Sequence, residues 1–303
     1  MTGGGEPRDR APVPPPEVVA ELRRARKYRD VASGVIERVA AEAWAVERGA
    51  DGAVKRAKRA LHQLHSAFVQ ERELDAAEAA VADLELQAAA GRVNAGDALF
   101  AAQIEGCCRT VLRCHASTRE RLEQLTALGR ELHERLGEPL SLLDLGCGLQ
   151  PFALPWLALP RAMPCHAREA DGRMARLVGR FFASIGQAGS ALPLDLVAAA
   201  EGRAELPHAD VAWLFKLLPT LERQRAGTAA RLVERLAQLE VRALVVSFPT
   251  RSLGARAKGM EEHYGRFADA LFTAPRWRTD RFELGSELFV VARRDGAGGD
   301  AAV

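Results

Sequence analysis

Two textures divide the chain. From Glu17 to about Gly137 apolar residues recur at helical spacing. Val35, Val39, Ala43 and Val46 fall on one face, and so do Val54, Ala57, Leu61, Leu64 and Phe68. Leu74 to Ala90 is rich in Ala and Glu, which favour helix. Ser117-Thr118-Arg119-Glu120 has capping-box spacing, so Ser117 is the predicted cap of a helix running to about Leu136. After Glu138 short apolar runs alternate with helical segments. Strands are predicted at Leu142–Leu145, Met163–Ala167, Leu192–Leu196, Val211–Phe215, Ala243–Phe248, Trp277–Phe282 and Glu287–Ala292. Such alternation implies βαβ units and a parallel sheet, with the last strand antiparallel after a hairpin around Gly285. The predicted class is α/β: an N-terminal helical domain over 17–137, then a Rossmann-like sheet domain over 138–294. The Gly- and Pro-rich stretch 1–16 and the end, 295–303, offer little to bury and are expected to be disordered.

Composition narrows the class without naming a chemistry. The 303 residues are 48% hydrophobic and 27% charged, a globular balance, and the net charge is only +2. A nucleic-acid surface must therefore come from local clustering. The five cysteines form no disulfide framework, no apolar run reaches the ~18 residues that span a bilayer, and the first residues do not read as a secretion signal. The expectation is a cytoplasmic protein without a membrane partner, and nothing in the pattern demands more than a monomer. Cys107, Cys108 and Cys114 lie in a helical pattern without metal-ligand spacing, so no metal is expected.

The strongest chemical signal is Leu142-Leu143-Asp144-Leu145-Gly146-Cys147-Gly148, followed by Pro151 and an apolar segment from Phe152 to Leu159. It reads as a buried strand, a glycine turn that approaches a ligand closely, and a short helix opened by proline. A dinucleotide fold wants Gly-x-Gly-x-x-Gly, and Pro151 stands where the third glycine belongs. S-adenosylmethionine (SAM) has no pyrophosphate and needs no such glycine, so SAM is the expected cofactor.

Ligands of open α/β sheets sit at the carboxyl ends of the strands. Asp144, Gly146 and Gly148 belong to the first such end. Glu169 follows Gly146 by 23 residues and can accept from both ribose hydroxyls, with Asp171 as a rival. Asp195 can accept from the adenine amino group, the Leu196 N–H can donate to a ring nitrogen, and Phe215 can pack on the adenine face. Arg119 and Arg121 are candidates for the methionine carboxylate, and Lys216 stands at a strand tip.

Two basic clusters lie in the helical part. Arg23, Arg24, Arg26 and Lys27 surround Tyr28, and Lys55, Arg56, Lys58 and Arg59 form the second. Such clusters contact phosphates with little sequence information. A basic, glycine-containing loop follows Phe248-Pro249, and Phe248, Arg251 and Tyr264 are candidate contacts to a target base.

Five motifs carry a resemblance over about Glu21 to Arg294. They are Val54–Arg59, His115–Arg121, Asp144–Pro151, Lys216–Pro219 and Ser247-Phe248-Pro249-Thr250-Arg251-Ser252-Leu253. The chain resembles the aminoglycoside-resistance 16S rRNA guanine-N7 methyltransferases. The resemblance implies a SAM-dependent methyltransferase acting on a decoding-site guanine within the 30S subunit. It implies a SAM pocket lined by Phe68, His115, Ala116, Ser117, Arg121, Gly146, Glu169, Asp195, Leu196, Phe215 and Gln224, with Arg121 on the methionine carboxylate. It departs from the family pattern where Glu169 replaces an Asp and Gly146 an Ala. No general base is expected, because N7 carries a lone pair and loses no proton. Adenine N1 of 16S rRNA, a small-molecule substrate and a non-catalytic RNA-binding assembly factor stay open as alternatives.

Overall fold

The structure, a computed structural model, describes residues 13–47, 49–65, 70–90, 98–157, 159–250 and 260–294. The chain separates into two units, one ending at Ala67 and the other starting at Phe68.

The first unit is helical. Helix α1 (Pro16–Arg24) is followed by a 3-10 turn, Arg26–Tyr28, then α2 (Ser33–Val46) and α3 (Ala50–His65). Pro16 opens α1, where a missing N–H leaves no bond unmade. This start lies just inside the stretch expected to be disordered, and residues 1–12 are outside the described ones. Val18, Leu22, Val35, Ile36, Val39, Ala40, Ala53, Ala57 and Leu61 are buried. Tyr28 is buried too, and its hydroxyl donates to the Lys58 carbonyl at 3.0 Å. The α2 stripe stops earlier than predicted: Val46, the last helical residue, is 60% exposed. The α3 stripe runs through Ala53 rather than Val54, which is half-buried. The Leu64 side chain and Phe68 lie outside the described residues.

The second unit opens with α4 (Glu71–Ala89), α5 (Ala98–Arg113), α6 (Ala116–Arg121) and α7 (Leu125–Leu136). Then come β1 (Leu142–Leu145), β2 (Cys165–Glu169), α8 (Gly172–Ile185), β3 (Gly189–Pro193), α9 (Leu196–Ala200) and β4 (Val211–Phe215). The chain continues with α10 (Leu218–Gln224), α11 (Thr228–Gln238), β5 (Ala243–Pro249), α12 (Met260–Leu271), β6 (Trp277–Leu284) and β7 (Glu287–Arg294). The strands form one sheet in the order β3-β2-β1-β4-β5-β7-β6. The first five are parallel, and β7 runs antiparallel between β5 and β6, as the hairpin at Gly285 predicted. Alternate residues supply two cores. Leu142, Cys165, Val211 and Trp213 join one, while Leu143, Leu145, Ala212 and Leu214 join the other.

The domain boundary expected at 137/138 is corrected, because α4 to α7 belong with the sheet. Leu74, Val81, Phe100 and Leu112 share one core with Phe152, Leu177 and Phe181. Ion pairs reinforce this packing: Arg173 holds Glu78 at 2.6 Å and Asp75 at 2.5 Å, and Arg180 holds Glu85 at 2.6 Å. Both Arg173/Arg180 and Glu78/Glu85 are seven residues apart, so the pairs repeat every two turns and α4 and α8 run parallel. Helical periodicity marks a buried face but does not say what buries it.

Other boundaries also move. Strand β2 starts at Cys165, after Pro164, and reaches the polar Arg168 and Glu169. Strand β3 is Gly189–Pro193 rather than Leu192–Leu196. It is an edge strand with exposed positions and lacks an apolar pattern, and an edge tolerates Pro193. Gly189 is required there: a Cβ would collide with the Cys165 carbonyl. The helix predicted from Ser117 to Leu136 is broken by a 3-10 turn at Leu122–Gln124. All five cysteines are free and buried, and burial pushes their thiols above the usual range. Among the described residues no helix is long and apolar enough to cross a membrane.

Candidate functional site

The sheet order reverses between β1 and β4, and the crevice at their carboxyl ends is where such sheets hold ligands. The turn after β1 fits that use. Gly146 and Gly148 have φ of 61° and 51°, in the left-handed region that favours glycine. A Cβ on Gly146 would meet Leu217 Cδ1 at 2.7 Å, and one on Gly148 would meet His115 Nε2 at 3.1 Å. The Gly146 N–H donates to the Arg168 carbonyl at 2.8 Å, which ties the turn to the end of β2. A 3-10 segment, Gln150–Trp156, follows with Pro151 in its first turn.

The acids predicted at the strand ends occupy three different environments. Asp144 lies within β1 rather than at its tip and is 2% exposed. Burial pushes its carboxyl up to about 8, helped by Glu169 and opposed by Arg121. Its Oδ2 has no hydrogen-bond partner in the protein. Glu169 ends β2 and accepts from the N–H groups of Gly148 at 2.8 Å, Ala170 at 2.7 Å and Asp171 at 3.2 Å. Burial still holds its carboxyl above the ordinary value, against those backbone bonds. Asp171, the rival for the ribose, caps α8 by accepting from Arg173 and Met174 N–H at 2.7 and 3.2 Å. Asp195 caps α9 through the Val197 N–H at 3.1 Å, with Leu196 as the first helical residue.

Arg121 is the hub of the site. Its Nε donates to Glu287 Oε1 at 2.8 Å, its Nη2 to Ser117 Oγ at 2.6 Å and its Nη1 to Gln150 Oε1. The guanidinium lies 5.1 Å above the Phe215 ring, which in turn meets Phe289 edge-on. Ser117 therefore serves Arg121 and is not the predicted cap. His115 is the N-cap residue of α6, and Thr118 Oγ1 takes the Leu112 carbonyl at 2.7 Å. Glu120, the other half of the supposed capping box, reaches Lys216 at 2.5 Å. His115 is buried, and burial first, then the charges of Arg121 and Lys216, lower its pKa to about 4. The ring is neutral at physiological pH.

Glu287, Gln150 and Ser247 complete this cluster, and sequence reading missed all three. Glu287 is 1% exposed and accepts from Arg121, from Lys216 at 3.0 Å and from Ser247 Oγ at 2.8 Å. Burial alone would raise its carboxyl, but the Arg121 and Lys216 charges and these hydrogen bonds hold it below the usual range. Removing one partner of such a buried pair costs about 3–5 kcal/mol. A signal was present: the period-2 pattern of β7 puts Glu287 on the same face as the buried Phe289 and Val291.

The structure thus brings His115, Ser117, Arg121, Asp144, Gly146, Gly148, Glu169 and Phe215 to one edge. Ala116, Leu196 and Gln224 stand at element ends, and Asp195 is the N-cap of α9. Phe248 is a correction. It is fully buried, with Tyr264 stacked on it at 5.3 Å and Phe267 edge-on, so its ring is part of the core and faces no target base. Tyr264 is half-buried. Phe68 and Arg251 lie outside the described residues. In the helical unit Arg23, Arg24, Arg26, Lys27, Lys55, Arg56 and Arg59 are exposed and Lys58 is half-buried. Several take local partners: Arg23 holds Glu37 at 2.8 Å and Lys58 holds Glu21 at 3.1 Å.

The residues at the crevice fit SAM. The glycine turn lies too close to Leu217 and His115 to carry a Cβ, and two buried polar atoms at the crevice, Asp144 Oδ2 and Gln150 Nε2, have no partner in the protein. Comparison with known proteins agrees. A family model described as ribosomal RNA methyltransferase (FmrO) matches residues 24–291. A 16S rRNA (guanine(1405)-N(7))-methyltransferase of Micromonospora echinospora is 33% identical over 288 residues, 92% of this chain and 96% of that one. A relative of the same description from Serratia marcescens is 29% identical over 283 residues, 92% of this chain and 98% of its own. The crystal structure of the 16S rRNA methyltransferase RmtF in complex with S-adenosyl-L-homocysteine superposes with a TM-score of 0.75 at 30% identity, covering 92% of this chain and 97% of that one. This chain belongs to the FmrO family of ribosomal RNA methyltransferases.

Proposed function

We propose that this chain is a SAM-dependent methyltransferase that modifies N7 of a guanine in the decoding A site of 16S rRNA, within the 30S subunit, and so confers aminoglycoside resistance. The observation that carries the reading is the 33% identity, over nearly the whole of both chains, to an enzyme named for guanine-N7 methylation of 16S rRNA. Bound SAM supplies an electrophilic methyl group on a sulfonium sulfur. Arg121 takes the methionine carboxylate, Glu169 the ribose hydroxyls, and Asp195 with the Leu196 N–H the adenine edge. Glu169 is bonded to the Gly148 N–H of the glycine turn, whereas Asp171 faces its own helix, which favours Glu169 for the ribose. His115 and Gly148 form the tight wall beside the cofactor.

Guanine N7 carries its own lone pair, and bound SAM would offer it a methyl group, leaving as neutral S-adenosylhomocysteine while the positive charge passes to the guanine ring. No proton leaves N7, and the neutral His115 is not needed as a base. What the protein contributes is alignment and exclusion of water. N7 faces the deep, narrow groove of A-form RNA, so the base is taken from a distorted helix or flipped, at a cost of about a few kcal/mol. The exposed cations of α1, its following turn and α3 hold rRNA phosphates, and Tyr264 and Arg251 contact the base. The methylated, cationic guanine repels cationic drugs. The protein acts as a monomer in the cytoplasm, where its substrate is. The test is transfer of labelled methyl from SAM to intact 30S subunits, naked 16S rRNA and aminoglycosides. Label on 30S supports the reading; label on the small molecules alone refutes it.

A further inference from the structure

Strand β2 divides its side chains between the two faces of the sheet. Cys165 and Ala167 enter the core shared with α4 and α8, and Glu169, in step with them, turns an oxygen to the glycine turn. His166 and Arg168 point to the other face. The register sets Arg168 beside Leu192 and His166 beside Ser190 of the edge strand β3. Leu192 is 51% exposed, and Ser190 and His166 are half-buried, so this margin of the sheet borders solvent. Arg168 itself is only 7% exposed.

A buried charge is ordinarily paired, and among the described residues Arg168 has no acidic partner. Its hydrogen bonds all come from Nη1, to the carbonyls of Ala167 at 2.9 Å and Ser190 at 3.4 Å and to Ser190 Oγ at 3.2 Å. The neighbouring acids are turned elsewhere: Glu169 to the glycine turn, Asp171 to the cap of α8 and Asp195 to the cap of α9. The one group whose charge favours the guanidinium is the Cys147 thiol, which burial keeps protonated. A lysine so placed would shed its proton, whereas an arginine keeps it. His166 adds a donor rather than a counter-charge. Its Nδ1 meets Ser190 Oγ at 3.1 Å, and burial, then the Arg168 charge, lowers its pKa, so the ring is neutral at physiological pH. Ser190 Oγ accepts from Arg168 and gives its own hydrogen to Nδ1, which leaves the ring proton on Nε2. The Nε–Nη2 edge of Arg168 is the side of a guanidinium that takes two oxygens of one anion.

We propose that Arg168, with Ser190 and His166 beside it, is a binding site for a phosphate-type oxyanion at the β2–β3 margin. The Arg168 carbonyl accepts from the Gly146 N–H at 2.8 Å, so the site adjoins the glycine turn on the opposite face of β2 from Glu169. An rRNA phosphate held there anchors the substrate next to the cofactor crevice, and free phosphate is held by the same chemistry. The site stands on Arg168, while its assignment to rRNA rests on the ribosomal reading above.

The test melts the full chain in sodium phosphate and in sodium chloride of equal ionic strength. At about 50 mM phosphate the parent melts roughly 2–4 °C higher than in chloride, and the rise saturates. Arg168→Met loses that rise and melts at or above the parent in chloride, because a buried, unpaired charge is gone. Arg168→Lys keeps the charge without the two-donor fork and needs about fivefold more phosphate for the same rise. An equal rise in the parent and Arg168→Met would mean general salt exclusion and would overturn the site. No rise in the parent would overturn it as well and assign Arg168 to the sheet alone. Should Arg168→Met fail to fold, Arg168→Lys decides, and a response equal to the parent's overturns the site. Filter binding of 30S subunits over a salt series then names the source of the anion. A slope lower by about one in Arg168→Met assigns the site to an rRNA phosphate, and an unchanged slope assigns it to a free oxyanion. Absence of 30S binding by the parent refutes the ribosomal reading and leaves the site standing on its phosphate response.

Discussion

Gly148→Ala separates a glycine that shapes the cofactor wall from one that merely ends a helix. Gly148 has φ of 51°, and Gly186, at the end of α8, has φ of 68°. Both substitutions carry the left-handed cost of an L residue, about 1–2 kcal/mol. Both also lose the same unfolded-chain entropy, so that contribution cancels between them. They differ in what the new methyl meets. At Gly186 nothing lies within 4 Å, whereas at Gly148 His115 Nε2 and Cε1 stand at 3.1 and 3.2 Å. His115 is 8% exposed and has little room to retreat, so overpacking adds about 1–3 kcal/mol. Gly148→Ala is therefore expected to cost about 3 kcal/mol, roughly 6–12 °C in Tm, and Gly186→Ala about half of that. Differential scanning fluorimetry gives the shifts, and calorimetry gives the S-adenosylhomocysteine affinity of each variant. Affinity falls in Gly148→Ala only. Equal melting of the two variants together with equal ligand affinity would refute the reasoning.

Asp144 predicts a pH dependence. Its native carboxyl stays protonated up to about 8, against an ordinary value of 3.8, so between those values the native state binds the extra proton. Stability of the ligand-free protein therefore falls as pH rises from 6.5 to 8, a window above the ordinary histidine value, by up to about 1.4 kcal/mol per pH unit. Asp144→Asn flattens that slope in melting curves, and an unchanged slope would contradict the assignment. Arg173→Ala removes the paired acids' partner between α4 and α8 and is expected to lower stability by roughly 0.5–1 kcal/mol, less at high salt, as read by urea titration. Changing Arg24, Arg26, Lys55 and Lys58 to Glu abolishes 30S binding in a filter assay while sparing S-adenosylhomocysteine affinity; retained binding would move the RNA surface elsewhere.

What the sequence disclosed follows physical lines. The turn at Asp144–Gly148 was legible because apolar strand, acid and paired glycines are adjacent in the chain, and β4 was legible because all five of its residues are buried. Edge strand β3 was not, since half-exposed positions carry no period. The partnership of α4 with α8 is a contact between segments about 95 residues apart, which helical spacing cannot report. Glu287 was missed for a related reason: its partners Arg121, Lys216 and Ser247 come from three distant elements, and only folding makes them one cluster. Ser117 and Glu120 show the opposite error. Their capping-box spacing is real, but the side chains turn to Arg121 and Lys216, so a local motif yielded to the site. In the sequence Phe248 is an aromatic beside a basic loop, and the aromatic packing around it claims its ring for the core.

The central claim is methyl transfer to guanine N7 in the decoding site. Purified 30S subunits are incubated with the protein and SAM, treated with borohydride and aniline, which cleave RNA at N7-methylguanine, and read by primer extension. The account predicts a new, SAM-dependent stop at one decoding-site guanine that needs the aniline step. A stop that appears without aniline would mean methylation of a base-pairing face such as adenine N1, and no stop at all on 30S would contradict the ribosomal target.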